Sequence, residues 1–204
     1  MITLIDYGVG NIFAFQNVYK RLDIPTKIAK TYEDLSDAKK LILPGVGSFD
    51  YAIEQLNASG MREKLDELVL EQKVPVIGIC VGMQMMGNRS DEGKLEGLKW
   101  IDSEILKFDE SIIKQRTKLP HMGWNDVSPV KNHPLFIGLE KEAIFYFLHS
   151  YYFKCNNPTE SIAVSDYGIS FTSAVNRDNV FGIQFHPEKS HQYGEKLLHN
   201  FAML

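Results

Sequence analysis

A chain of 204 residues that is 44% hydrophobic, 24% charged and 11% aromatic has the composition of one globular domain, spanning 1–204, and excludes a disordered or collagen-like polymer. Its 22 basic and 26 acidic residues give a net charge of -4 with no basic block, which argues against nucleic acid or an anionic membrane as partner. Apolar runs such as Val74 to Cys80 fall short of the ~20 residues of a membrane span, and MITLIDYG carries no mark of a secretory leader, so a cytoplasmic location is expected.

Ile2 to Asp6 reads as a short apolar strand ending in the turn Tyr7-Gly8-Val9-Gly10-Asn11, and Ile12 to Leu22 repeats apolar residues at helical spacing. Thr26 to Ala29 and Lys40 to Leu43 are further strands, Ser48 to Gln72 is helical with a break at Ser59-Gly60, Val76 to Cys80 is a strand, and Gly82 to Met86 starts another helix. Such alternation predicts an α/β fold around a parallel sheet, with ligands beyond the carboxyl ends of its strands. From about Lys94 the chain turns β-rich, with runs at Glu104 to Phe108, Ala143 to Tyr152, Ile162 to Ser165, Phe171 to Asn176 and Val180 to Phe185. This half is expected to be partly antiparallel. Gly194 to Leu204 closes the chain as a helix.

The chemistry concentrates in three segments. In Gly78-Ile79-Cys80-Val81-Gly82 a cysteine sits between a strand and a helix with a glycine two residues away on each side, the spacing of a nucleophile elbow. A buried, inert strand cysteine is the alternative reading. A nucleophilic thiol needs a base, and His186, at the end of an apolar strand, is the best placed of the 6 histidines. Glu188 follows two residues later, so in an extended segment it lies on the same side and can orient the imidazole. A metal site from His186, Glu188 and His191 is the competing reading, and no second His or Cys cluster completes it. The third segment, Leu43-Pro44-Gly45-Val46-Gly47-Ser48-Phe49, can aim backbone N–H groups into the crevice, where they and the N–H of Val81 would bind an oxyanion. Phosphate is the rival ligand there, but no lysine follows the loop as a P-loop requires.

Other residues read more simply. Cys155 lacks an elbow, Met83, Met85 and Met86 read as core, and His149 reads as satisfying a buried hydrogen bond. His191 and His199 read as surface residues.

Taken together, PGVGSF, GICVGMQ and QFHPEKS resemble the signatures of the class I glutamine amidotransferases, over nearly the whole chain. The resemblance implies a flavodoxin-like fold, no cofactor and no metal, and a Cys80-His186-Glu188 triad. It also implies that Gly45, Gly47, Gln84, Ser150 and Tyr151 hold L-glutamine and that Val46 and Val81 supply the oxyanion site. Asp6 to Asn11, His121-Met122-Gly123-Trp124-Asn125 and Leu148 to Tyr152 are similar to the branch of that family serving imidazole glycerol phosphate synthesis. For that branch the partner implied is a (β/α)8-barrel cyclase that forms a heterodimer with the chain and receives the ammonia, with Met122, Trp124 and Asn125 at the junction. Three departures stand out: Val81 where the family usually has Leu, the aromatic Phe13-Ala14-Phe15, and His191. They are similar to a paralogous branch that supplies ammonia to a sugar amidotransferase in surface-glycan synthesis. A cysteine peptidase and a non-catalytic binding subunit are the remaining alternatives.

Overall fold

The computed structural model describes residues 1–204. Its first half follows the alternating pattern: β1 (Ile2–Ile5), α1 (Ile12–Arg21), β2 (Thr26–Ala29), β3 (Leu41–Leu43), α2 (Phe49–Ala58), α3 (Arg62–Asp66, continued by a π turn), β4 (Val76–Ile79) and α4 (Val81–Met85). The second half holds β5 (Arg89–Ser90), β6 (Ser103–Lys107), β7 (His121–Asp126), β8 (Ser128–Pro129), β9 (Ile144–His149), β10 (Tyr151–Cys155), β11 (Ser161–Asp166), β12 (Ser170–Arg177), β13 (Val180–Ile183) and α5 (His191–Met203).

Eleven strands form one mixed sheet with the path β2-β1-β3-β4-β13-β12-β10-β6-β5, and β11 branches from β12 with β8 paired on its other side. The first five on that path are mutually parallel, and antiparallel pairing begins at β13–β12. The residues of β1, β3 and β4 are all buried, as strands covered on both faces require. Helix α1 shows the complementary pattern: Asn11 caps its start, and Ile12, Phe15, Val18 and Tyr19 face the core at helical spacing. Because β1, β3, β4 and β13 run the same way, Asp6, Pro44, Cys80 and Gln184 all emerge at one edge of the sheet. No helix is long and apolar enough to cross a membrane.

Three expectations are revised. Ala143 to Tyr152 is two strands: β9 pairs with β7 in a separate two-stranded sheet and β10 pairs with β6 in the large one, so the chain changes sheets at Ser150. The HMGWN segment is itself a strand, β7, whose alternation is hidden because polar His121 faces inward while apolar Met122 and Trp124 face out. Helix α5 starts at His191 rather than Gly194, its first turn contributing only Tyr193 to the core, too little to set a period.

Candidate active site

Strand β4 ends in a sharp reversal at Cys80, whose φ of 55° and ψ of -112° lie where an L-residue is strained. The reversal is possible because bare backbone packs against it. A Cβ on Gly82 would stand 2.0 Å from the Leu43 carbonyl oxygen, and one on Gly78 would stand 2.6 Å from the Gly82 carbonyl oxygen. The glycines thus serve chain-to-chain contact inside the elbow. Val81 opens α4, where the first N–H groups have no intrahelical acceptor.

The Cys80 sulfur is buried, 3.8 Å from the Leu148 carbonyl oxygen, and accepts from the Gln184 amide at 3.7 Å. His186 follows the neighbouring strand β13, which pairs with β4 in the register Ile183↔Ile79, so both reactive side chains leave adjacent parallel strands together. The His186 backbone N–H donates to Tyr146 and its carbonyl accepts from the Ser190 hydroxyl at 2.6 Å, which fixes the residue's frame. Glu188 reaches His186 differently from expectation. Pro187–Lys189 is a 3-10 turn, not an extended segment, with Pro187 at the first position where its fixed φ suits a helical turn. The turn places Glu188 Oε1 2.8 Å from His186 Nδ1, both side chains 4% exposed. Cys80 and His186 line the same cavity, and the sulfur lies close enough to act on the ring. Burial pushes the imidazole pKa down, but the Cys80 sulfur and the Glu188 carboxylate outweigh it and lift His186 to about 10. Both neighbours thus favour the charged ring.

A cavity of about 240 Å³ opens on this sulfur, small beside the ~300–1,000 Å³ of pockets for drug-sized ligands and of the right order for an amino acid. Val46, Gly47, Val81, Gln84, Ser150 and Tyr151 line it with Cys80 and His186. Gly45 does not: a Cβ there would meet the Gly82 nitrogen at 2.2 Å, so Gly45 is wedged behind the elbow and acts as packing. Gln84 spends both amide hydrogens inside the protein, on the Tyr151 carbonyl at 3.1 Å and Gln184 Oε1 at 3.0 Å, which leaves its own carbonyl for a ligand. Met122 and Trp124 are 60% and 46% exposed on the outer face of β7. Asn125 instead turns inward and donates to the Asp166 carbonyl at 2.8 Å. His191 stacks flat on Trp124 at 5.4 Å between centroids and does not join His186 and Glu188.

Gln184, which donates to the Cys80 sulfur from behind the cavity wall, and Glu92, which lines the cavity, were not anticipated. Gln184 precedes His186 by two positions, so strand alternation alone could have put it on the same side. Glu92 accepts from the Phe49 N–H at 2.8 Å, and burial raises its carboxyl pKa. It lies in the loop after β5, where no periodicity singles it out. Its carboxylate would suit an ammonium group.

The model of the class I glutamine amidotransferase family matches residues 3–204. Among curated proteins, the imidazole glycerol phosphate synthase subunit HisH of Bdellovibrio bacteriovorus is 55% identical over 202 residues, 99% of both chains. Its counterpart in Leptospira interrogans is 49% identical over the full length of both, and a HisH 2 of Pseudomonas aeruginosa is 48% identical, also over the full length of both. Among solved structures, a glutamine amidotransferase superposes with a TM-score of 0.74 at 18% identity, covering 99% of this chain and 97% of that one. A chain of PurLQS from Thermotoga maritima gives 0.73 at 14% identity, again covering 99% and 97%. With the family model matched almost from end to end and relatives near half-identical over their whole length, this chain belongs to the class I glutamine amidotransferases.

Proposed function

We propose that this chain is the glutaminase subunit of imidazole glycerol phosphate synthase, hydrolysing L-glutamine and passing the ammonia to a cyclase partner. The observation that carries the chemistry is the Cys80 sulfur at a strained elbow, facing an imidazole that Glu188 holds at 2.8 Å over a cavity of amino-acid size. The full-length likeness to HisH subunits supports the pathway.

The Cys80 sulfur attacks the side-chain carboxamide carbon, and the carbonyl π electrons move onto oxygen, where the N–H groups of Val81 and Val46 are the candidate donors. His186 then gives its proton to the departing nitrogen, the C–N bond breaks, and ammonia leaves a γ-glutamyl thioester on Cys80. Water adds to the thioester carbon as His186 takes its proton; the C–S bond breaks, freeing glutamate and restoring the sulfur–imidazole pair. Glu188 keeps the ring in the orientation both transfers need. Glu92 and the Ser150–Tyr151 turn face the amino-acid end of the substrate.

The partner is proposed to be a (β/α)8-barrel cyclase, docked as a heterodimer near the exposed Met122 and Trp124, with Asn125 bracing β7 from within. A second reading, an ammonia acceptor that is a sugar, rests on the sequence departures at Val81, Phe13-Ala14-Phe15 and His191. Reconstitution with a purified cyclase tests the choice. One glutamate released per imidazole glycerol phosphate formed supports the histidine route, and glutamate release without that product contradicts it.

A further inference from the structure

The change of sheets at Ser150 is held by a buried chain of hydrogen bonds. His121 and His149 face each other in the β7–β9 register, 3% and 6% exposed. His149 Nδ1 lies 2.8 Å from the Tyr151 carbonyl oxygen, His149 Nε2 lies 2.9 Å from His121 Nδ1, and His121 Nε2 lies 3.2 Å from the Asn125 amide nitrogen. A carbonyl can only accept, so His149 Nδ1 carries the hydrogen. His149 Nε2 then accepts, which places the hydrogen of His121 on Nδ1, and His121 Nε2 accepts from Asn125. Every nitrogen is satisfied in one direction only. His121 is also clamped between the rings of Tyr167 at 4.0 Å and Phe147 at 4.8 Å, so it cannot turn away.

The same Tyr151 carbonyl accepts from Gln84, which is tied through Gln184 to the Cys80 sulfur. The endpoint of the histidine chain is thus a wall of the cavity: His149, Ser150 and Tyr151 all line it. We propose that His121 and His149 are positioning residues for glutamine binding. His149 anchors the Ser150–Tyr151 turn through the Tyr151 carbonyl, and His121 locks His149 in the tautomer able to do so. Neither takes part in proton transfer.

This inference rests on the glutaminase reading, and the experiment separates the two. L-Glutamine is titrated calorimetrically into the full-length chain carrying Cys80→Ala, which cannot turn the ligand over, and into the same chain with changes at His149. Asparagine offers an amide nitrogen near the place of Nδ1 and glutamine one near the place of Nε2. His149→Asn should therefore keep the donor to Tyr151 and bind within about threefold of the parent, whereas His149→Gln and His149→Leu should weaken binding about tenfold or more. His121→Phe, which keeps the stacked ring and loses the donor, should shift affinity in the same direction. Equal affinities for His149→Asn and His149→Gln would overturn the inference even if both were weakened, because packing alone would then explain the pair. Since that comparison uses two polar variants, it stands even where His149→Leu does not fold. A parent chain that binds no glutamine would overturn the glutaminase reading and this inference with it.

Discussion

Glu188 meets His186 at 2.8 Å across a single proline, and the 3-10 turn from Pro187 to Lys189 makes the contact. The carboxylate is as buried as the ring it orients, so its negative charge acts on the imidazole with little screening. Removing either partner should therefore be costly, but unequally.

His186→Ala should lower glutamine turnover by on the order of 10³ to 10⁴, since activation of the sulfur and protonation of the leaving group are both lost. Glu188→Gln keeps the ring and loses its charged partner, for a loss of about a hundredfold. Steady-state glutamate release with the partner present, alongside circular dichroism of each variant, measures both. Equal losses in folded proteins would mean that Glu188 does more than orient.

Gly82→Ala tests the elbow. The added Cβ would stand 2.0 Å from the Leu43 carbonyl oxygen, a backbone atom that cannot swing aside. The strain should destabilise the fold by roughly 1–3 kcal/mol and displace the peptides beside Cys80. A fall in urea midpoint together with a fall in kcat is expected; an unchanged midpoint would show that the elbow yields.

Much of this site could be read from the residues in order. Glycines at two-residue spacing around Cys80 mark the elbow, because backbone contact leaves a composition signature. The parallel strands were legible for a similar reason: burial on both faces gives short apolar runs such as Leu41–Leu43 and Val76–Ile79. What stayed hidden depends on partners distant in sequence. β7 is a strand because β9 pairs with it, and Glu92 matters because a loop brings it to the cavity. Strand alternation pairs Glu188 with His186 correctly but through the wrong local geometry, since Ser190 and Pro187 close a turn where simple alternation suggests an extended segment.

The buried histidine pair predicts sensitivity to acid. Burial lowers His121 to about 4 and His149 to about 3, whereas an unfolded imidazole takes its proton near pH ~6.5. Below that value the unfolded chain binds protons the folded one refuses, so stability is full above pH ~6.5 and falls as pH drops toward 4. The slope should approach about 1.4 kcal/mol per pH unit for each imidazole. His186 has the opposite sign: raised to about 10, it stabilises fully below pH ~6.5 and progressively less as pH rises from there toward 10, so it does not cause the acid loss. Urea midpoints between pH 7 and 5 should fall less steeply in a chain carrying His121→Gln and His149→Asn; parallel slopes would remove the pair from the account.

Glutamine turnover should be slow until the partner docks. Gly45 is wedged against the elbow, so rotation in this loop is left to the Val46–Gly47 peptide, which carries the Gly47 N–H as a further candidate donor beside those of Val46 and Val81; Gly47 has φ +84°, and a Cβ placed on it would meet nothing closer than Tyr51 at 3.9 Å. A donor turned away from the oxyanion costs about a hundredfold to a thousandfold in rate. The glutaminase kcat of the chain alone, compared with that at saturating cyclase and acceptor analogue, should differ by that order; equal values would dismiss the gate and leave the triad untouched.

The central claim is that this chain exists to release ammonia for a second active site, and Cys80→Ala in the reconstituted complex tests it most directly. Product formation is followed with L-glutamine and, separately, with ammonium chloride as nitrogen source. The account predicts that the variant loses synthesis from glutamine and keeps synthesis from ammonium at the level of the unaltered complex. Retention of glutamine-dependent synthesis, or loss of both activities in a complex that still assembles, would contradict it.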